Sequence, residues 1–219
     1  MSGDGERRIP FLAPELPPLE GLLADLREIH ASGVFSNGGP FEQRLVARLG
    51  EYLAGAHCVP VANGTLGLLL AAGALGDERR RGRGVLMPSF TFPATALAVE
   101  WAGLEPILCD VDPETWQPVI DADATRELLD ELALLLPCHT FGAPVDLEPW
   151  RALAEENGLP LLIDAAAGLG GRYPDGRRLG AAGAVEVFSL QATKPFAVGE
   201  GGVIAAPSEE LAERLRLLR

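Results

Sequence analysis

Basic residues are scarce in this sequence: 18 Lys and Arg stand against 31 Asp and Glu, a formal net charge of -13 over 219 residues. That balance disfavours non-specific attachment to nucleic acid or to an anionic membrane, so neither is expected as a partner. Only three cysteines occur, Cys58, Cys109 and Cys138. They are widely spaced, form no CxxC pattern, and each sits in or beside an apolar, strand-like run. Buried thiols in a reducing compartment are therefore expected rather than disulfides or a metal site. His30, His57 and His139 lie at no metal-ligand spacing. The opening Met-Ser-Gly-Asp-Gly-Glu lacks the basic start and apolar core of a signal peptide. No run approaches the length of a membrane span, and a cytoplasmic protein is the expectation. Internal repeats and low-complexity blocks are also missing. No Gly-x-Gly-x-x-Gly follows the first strand, which ranks an ordinary dinucleotide-binding protein low.

What is present suits a packed globular chain: 47% hydrophobic and 6% aromatic residues, enough length for one well-cored domain with an arm. Residues 1–18, rich in proline and polar residues, read as an extended N-terminal arm, and residues 19–219 as the domain. Leu19, Leu22, Leu23, Leu26 and Ile29 recur at helical spacing. A glycine-rich loop, Phe35 to Pro40, leads to a second helical pattern through Phe41, Leu45, Val46 and Leu49. Short apolar runs at Cys58–Val61, Val85–Met87, Pro106–Asp110, Leu132–Cys138, Pro160–Ile163, Val185–Leu190 and Gly202–Ala206 then read as buried strands. Helix-like segments at Leu66–Leu75, Ala94–Trp101, Ala124–Leu129 and Leu147–Asn157 alternate with them. This α/β alternation predicts a largely parallel sheet covered on both faces. The last two strands are joined by a glycine-rich loop too short for a parallel crossover, so the final strand is expected to be antiparallel. Ser208–Arg219 reads as a helix with Leu211, Leu215 and Leu218 on one face. It has no glycine cap and no following element, as in a chain that is cut off. Arg79, Arg80, Arg81 and Arg83 form one basic run, read as a solvated loop ahead of a phosphate-binding one.

Open α/β sheets bind ligands beyond the carboxyl ends of their strands, and candidate residues cluster there. Asn63-Gly64-Thr65 follows the first strand and opens a helix. Glycine permits close backbone approach, and a helix N-terminus offers unpaired N–H groups to a phosphate; the same triplet is also an ordinary turn with an N-cap. Phe90 and Phe92 follow the second strand, placed either to stack on a flat ring or to join the core. Asp164 ends a fully apolar run, where a carboxylate needs a cation or a strong donor, or serves as an N-cap. Ser189 and Lys194 follow the sixth strand, beside Gly199-Glu-Gly-Gly202. Taken alone, Lys194 is a solvated lysine.

In their order these segments resemble the DegT/DnrJ/StrS-type sugar aminotransferases, which use pyridoxal 5'-phosphate. The similarity runs from about Leu19 to Arg219. It includes Gly38-Gly39-Pro40 with Phe41 and Glu42, Asn63-Gly64-Thr65, and Pro88-Ser-Phe-Thr-Phe-Pro-Ala-Thr95. It continues through Asp110-Val-Asp-Pro-Glu-Thr115, Pro137-Cys-His-Thr-Phe-Gly142, Asp164-Ala-Ala, Phe188-Ser189 with Thr193-Lys194, and Gly199 to Gly202. The resemblance implies the large domain of the aspartate-aminotransferase fold (type I), a mostly parallel seven-stranded sheet flanked by helices. It implies that Lys194 holds the cofactor as a Schiff base and then shuttles a proton, since a lysine amine of lowered pKa is both nucleophile and base. Asp164 would pair with the protonated pyridine nitrogen. The backbone at Gly64 and Thr65, with the Ser189 hydroxyl, would hold the phosphate, and Phe92, with Phe90 as second choice, would stack on the ring. The implied reaction moves an amino group from L-glutamate or L-glutamine to a keto sugar, nucleotide-linked, in a homodimer whose Gly38-Gly39-Pro40 loop approaches the partner's site. Departures are Ala167 and Leu169 where the family has glutamine or glutamate and then histidine, a basic insertion between Gly76 and Gly84, and no C-terminal small domain. They keep two other readings in view: a cofactor-dependent sugar dehydratase, against which Lys194 argues, and a truncated non-catalytic paralogue that binds a partner.

Overall fold

The computed structural model describes Pro10, residues 13–76 and residues 82–219. Most of the N-terminal arm and the arginines at 79–81 lie outside the described residues. Two helices lead in: α1 (Leu19–Ser32) and α2 (Pro40–Tyr52). Proline stands at the first position of α2, where its missing N–H costs nothing. Leu49 anchors α2 to the core, whereas α1 buries no residue and leaves Leu19, Leu23 and Leu26 in solvent.

Strands and helices then alternate: β1 (His57–Val61), α3 (Gly64–Gly76), β2 (Gly84–Pro88), α4 (Pro93–Trp101), β3 (Glu105–Cys109), α5 (Ala122–Leu128), β4 (Leu132–Leu135), α6 (Glu148–Asn157), β5 (Leu162–Asp164), β6 (Val185–Ser189), β7 (Gly202–Ala206) and α7 (Glu209–Leu218). Side chains alternate across a strand, and here both sides are buried. Val59, Val85, Met87, Leu134, Leu162, Val187 and Ile204 pack beneath α3, α4 and α7. Cys58, Leu86, Leu135, Ile163, Phe188 and Val203 pack on the other side with Leu53 and Trp150. Burial on both faces explains why β2, β4 and β7 are apolar without interruption; the edge strand β3 is partly exposed.

The expected single seven-stranded sheet is not formed. The strands divide into a four-stranded sheet, β1-β7-β6-β5, and a three-stranded sheet, β3-β2-β4. Pairs within the second sheet and the β5–β6 pair are parallel, while β7 runs antiparallel to β1 and β6, as its short connection demands. The sheets meet along β4 and β5 only at isolated bridges, Leu135 to Leu161 and Cys138 to Asp164. Pro137 and Pro160 lie in this seam, and neither can donate to a ladder. Each still accepts: Asp164 N–H donates to Pro137 O at 3.0 Å and Leu135 N–H to Pro160 O at 3.0 Å. The apolar run read as a strand to Cys138 therefore leaves its ladder at Leu135. On α7, Leu215 is buried and Leu218 is exposed, so the expected three-leucine face is only partly covered.

α3 sets the site. It is apolar all round and packs closely because it is rich in small residues; a Cβ on Gly67 would meet Val187 Cγ1 at 2.8 Å. That proximity brings the first turn of α3 over the carboxyl end of β6, where a Cβ on Gly64 would lie 3.0 Å from the Ser189 Cβ. Among the described residues, no helix is long and apolar enough to cross a membrane.

Candidate active site

Gly64, Thr65, Phe92, Asp164, Ser189 and Lys194 all line one cavity of about 550 Å3. It opens where the first turn of α3 meets the segments after β2, β5 and β6. A larger cleft of about 800 Å3 between α3, α4 and α7 presents Arg83 and Arg214 but no carboxylate or nucleophile.

The floor of the site is Asp164, buried at the end of β5. Its Oδ1 accepts the Ala166 N–H at 3.0 Å, and its Oδ2 accepts the Thr95 hydroxyl at 2.6 Å. Thr91 lies behind, its Oγ1 2.9 Å from that of Thr95. The Asp164 backbone is fixed as well, its carbonyl accepting His139 N–H at 2.9 Å. Two neutral donors thus satisfy this carboxylate in place of a protein cation.

At the wall, Asn63 caps α3. Its Oδ1 accepts the Leu66 N–H at 2.9 Å and its carbonyl the Gly67 N–H at 3.1 Å. Among the described residues, the N–H groups of Gly64 and Thr65 take no partner, as the first donors of a helix do. Ser189 Oγ accepts Gln191 N–H at 3.3 Å and keeps its own proton free. Two unpaired N–H groups and a hydroxyl stand at the positive end of a helix, with a Cβ at position 64 only 3.0 Å from Ser189 Cβ, an arrangement chemically suited to cradle an anion.

Lys194 sits in a turn closed by its own N–H on Gln191 O at 2.8 Å, within the loop pinned by Ala192 N–H on Gly199 O at 2.8 Å. Gln191 Oε1 accepts both Thr193 N–H and Thr193 Oγ1. The Lys194 Nζ makes no ion pair among the described residues and stands 5.9 Å from the centre of the Phe92 ring. It is the only lysine in the chain.

Lys194, Asp164 and Phe92 also border a smaller cavity of about 280 Å3, lined by Phe90, Phe141 and Ala167. Phe90 stands edge-on to Trp116 and Phe141, and those two to each other, with ring centres 5.5–6.1 Å apart. Trp116 (φ 59°) and Phe141 (φ 52°) occupy the left-handed region, which bulky residues rarely adopt away from functional segments. Ala167 presents no polar atom from its side chain, and Leu169 lies in the core. Burial, then the charge of Asp164, pushes the Cys138 thiol well above its usual range, so it is a protonated wall residue rather than a nucleophile.

Sequence reasoning missed two groups. One is the pair Thr91 and Thr95. The other is a buried chain in which Tyr173 bridges His139 Nε2 (3.0 Å) and Glu186 Oε2 (3.1 Å). Val145 N–H donates to His139 Nδ1 at 3.1 Å, which leaves Nε2 as the protonated nitrogen, and Ala182 N–H donates to Glu186 Oε1 at 3.0 Å. Glu186 had a signal, being the only charge in its apolar strand. Among the described residues, no group of three or more His, Cys, Asp or Glu side chains is placed to hold a metal ion.

The model of the DegT/DnrJ/EryC1/StrS aminotransferase family matches residues 20–219. The chain belongs to that family. It is 35% identical over 209 residues to an L-glutamine:2-deoxy-scyllo-inosose aminotransferase of Micromonospora echinospora, covering 92% of this chain and 49% of that protein. Among solved structures it resembles the sugar aminotransferase CalS13 of the same organism, with TM-score 0.84, 29% identity and coverage of 96% and 57%. It also resembles DesI in the presence of its TDP-sugar product, with TM-score 0.83, 36% identity and coverage of 94% and 52%. The chain spans about half the length of the curated relatives it matches.

Proposed function

We propose that this chain holds pyridoxal 5'-phosphate in the 550 Å3 cavity and, as the large domain of a cytoplasmic family enzyme, transfers an amino group from L-glutamate or L-glutamine to a keto sugar. One observation carries the reading: the only lysine, a buried carboxylate and an anion cradle face the same cavity. The residues fit the cofactor in kind. Gly64 and Thr65 N–H and the Ser189 hydroxyl take its phosphate, Asp164 its ring nitrogen, Phe92 a ring face, and Lys194 its aldehyde carbon. When bound, the cofactor supplies a conjugated ring that accepts an electron pair. The chain's own share is to fix that ring, to exclude water from its buried edge, and to carry a proton on Lys194 Nζ. The keto sugar is proposed to be nucleotide-linked, supported by the relative solved with a TDP-sugar product.

A homodimer is part of this proposal, and the bare apolar stripe of α1 supports it, since leucines in water gain from burial against a second copy. Sedimentation analysis reads it directly.

Borohydride reduction after mixing with pyridoxal phosphate tests the core of the reading. A covalent mass gain on the Lys194 peptide is expected, and with no other lysine present there is no competing side-chain amine. No adduct, where a full-length relative is labelled, overturns it. In protein loaded with pyridoxal phosphate and left unreduced, a spectral change on adding L-glutamate alone separates transamination from sugar dehydration.

A further inference from the structure

Asp164 is held by more than its own loop. Thr95, from the first turn of α4 and 0% exposed, reaches across 69 positions of sequence to donate to Oδ2 at 2.6 Å. A hydroxyl carries one proton. With that proton on the carboxylate, the 2.9 Å contact between Thr91 and Thr95 runs one way only, Thr91 donating and Thr95 accepting. The Ala166 N–H holds the other oxygen at 3.0 Å. One donor on each oxygen fixes the carboxylate plane, because rotation would break both bonds. Asp164 borders both cavities, so its remaining lone pairs are the ones a ligand meets.

We propose that Thr95, with Thr91 oriented behind it, is the positioning residue that aims the Asp164 carboxylate at a cationic ring N–H of the ligand in the adjoining cavity. This rests on the cofactor reading above. Ala167 offers the ring no polar side-chain contact, so the Asp164 contact weighs more at the ring's buried edge. A carboxylate free to turn holds a ring proton less well, since charge-assisted hydrogen bonds depend on alignment.

The test loads the whole chain with pyridoxal phosphate carrying 15N in its ring, and reads the nitrogen resonance and the dissociation constant. Thr95→Val is expected to move the resonance toward the unprotonated position and to weaken retention by about tenfold, the loss of one hydrogen bond to a charged group. Thr95→Ser restores both, and Thr91→Val moves both the same way by less. Melting is followed in parallel, and if Thr95→Val fails to fold, Thr91→Val carries the test. A variant with wild-type resonance and affinity overturns the proposal, as does a well-folded Thr95→Ser that rescues neither. Asp164→Asn separates the levels. If it abolishes the protonated signal while Thr95→Val does not, only the role of Thr95 fails; if it leaves the signal intact, the pairing of Asp164 with the ring fails and takes this proposal with it.

Discussion

Replacing Tyr173 by phenylalanine removes the one oxygen that bridges His139 and Glu186. The hydroxyl accepts from His139 Nε2 at 3.0 Å and donates to Glu186 Oε2 at 3.1 Å, between side chains that are 0% exposed. Each buried group left without its partner costs about 1–3 kcal/mol, which would sum to about 4 kcal/mol. Two features reduce that. Glu186 keeps the Ala182 N–H at 3.0 Å. His139 Nε2 and Glu186 Oε2 already stand 3.7 Å apart, and closing by about 0.8 Å would pair them directly. The expected net loss is therefore about 2 kcal/mol, a fall of about 4–8 °C in Tm for a chain of this size. Urea unfolding and calorimetry measure it. Tyr52→Phe, at an exposed tyrosine stacked on Arg178, is the control and should change stability by less than about 0.5 kcal/mol. A loss below about 0.5 kcal/mol for Tyr173→Phe, or full additivity with Glu186→Gln, would refute the reasoning, because residues in one buried network must couple. Burial, then the charge of Glu186, also holds the Tyr173 phenol well above its ordinary value. The unfolded phenol loses its proton first, so stability should fall as pH rises beyond about 10.

Cys58 sets in earlier, its thiol pushed up to about 11 by burial. The unfolded thiol ionises near 9, so between pH 9 and 11 the unfolded state binds fewer protons and stability declines by about 1.4 kcal/mol per pH unit. Urea midpoints at pH 8 and pH 10.5 should show this. Cys109, also pushed up to about 11 by burial, and Cys138, pushed higher, add declines of the same sign, so Cys58→Ala should remove its own share of the slope and leave theirs. At Gly202 a Cβ would lie 2.6 Å from the Asn63 carbonyl carbon and 2.8 Å from Gly64 N. Those atoms are backbone and cannot swing aside, so Gly202→Ala should displace the cradle and cost about 1–3 kcal/mol. Equilibrium dialysis should show pyridoxal phosphate held at least about tenfold more weakly, the scale of one lost charge-assisted bond; unchanged binding would mean that the cradle does not hold the phosphate.

Most of the fold was legible because most of the strands are buried on both sides, so runs such as Val185–Leu190 stand out without any pairing information. The division into two sheets was not, since Leu136–Cys138 continue an apolar run and only Pro137 and Pro160, read as partners across a seam, reveal where the ladder stops. The six candidate site residues were found by their places after strands, and they share one cavity. Thr91 and Thr95 stayed hidden inside a quoted segment, because a threonine in the first turn of a helix reads as local capping. Its reach to Asp164 depends on how β2 and β5 are spaced, which no local pattern encodes. Glu186 could have been singled out, as a carboxylate in an apolar strand must be matched by donors from elsewhere.

The aromatic trio beside the smaller cavity gives the protein an optical reporter. Its three tryptophans sit in different surroundings: Trp150 in the core, Trp101 on the surface of α4, and Trp116 half-exposed against Phe90 and Phe141. Trp116 alone shares an edge with rings that border the cavity. Its emission should therefore respond when that space is filled, while the signal from Trp150 stays constant as an internal standard.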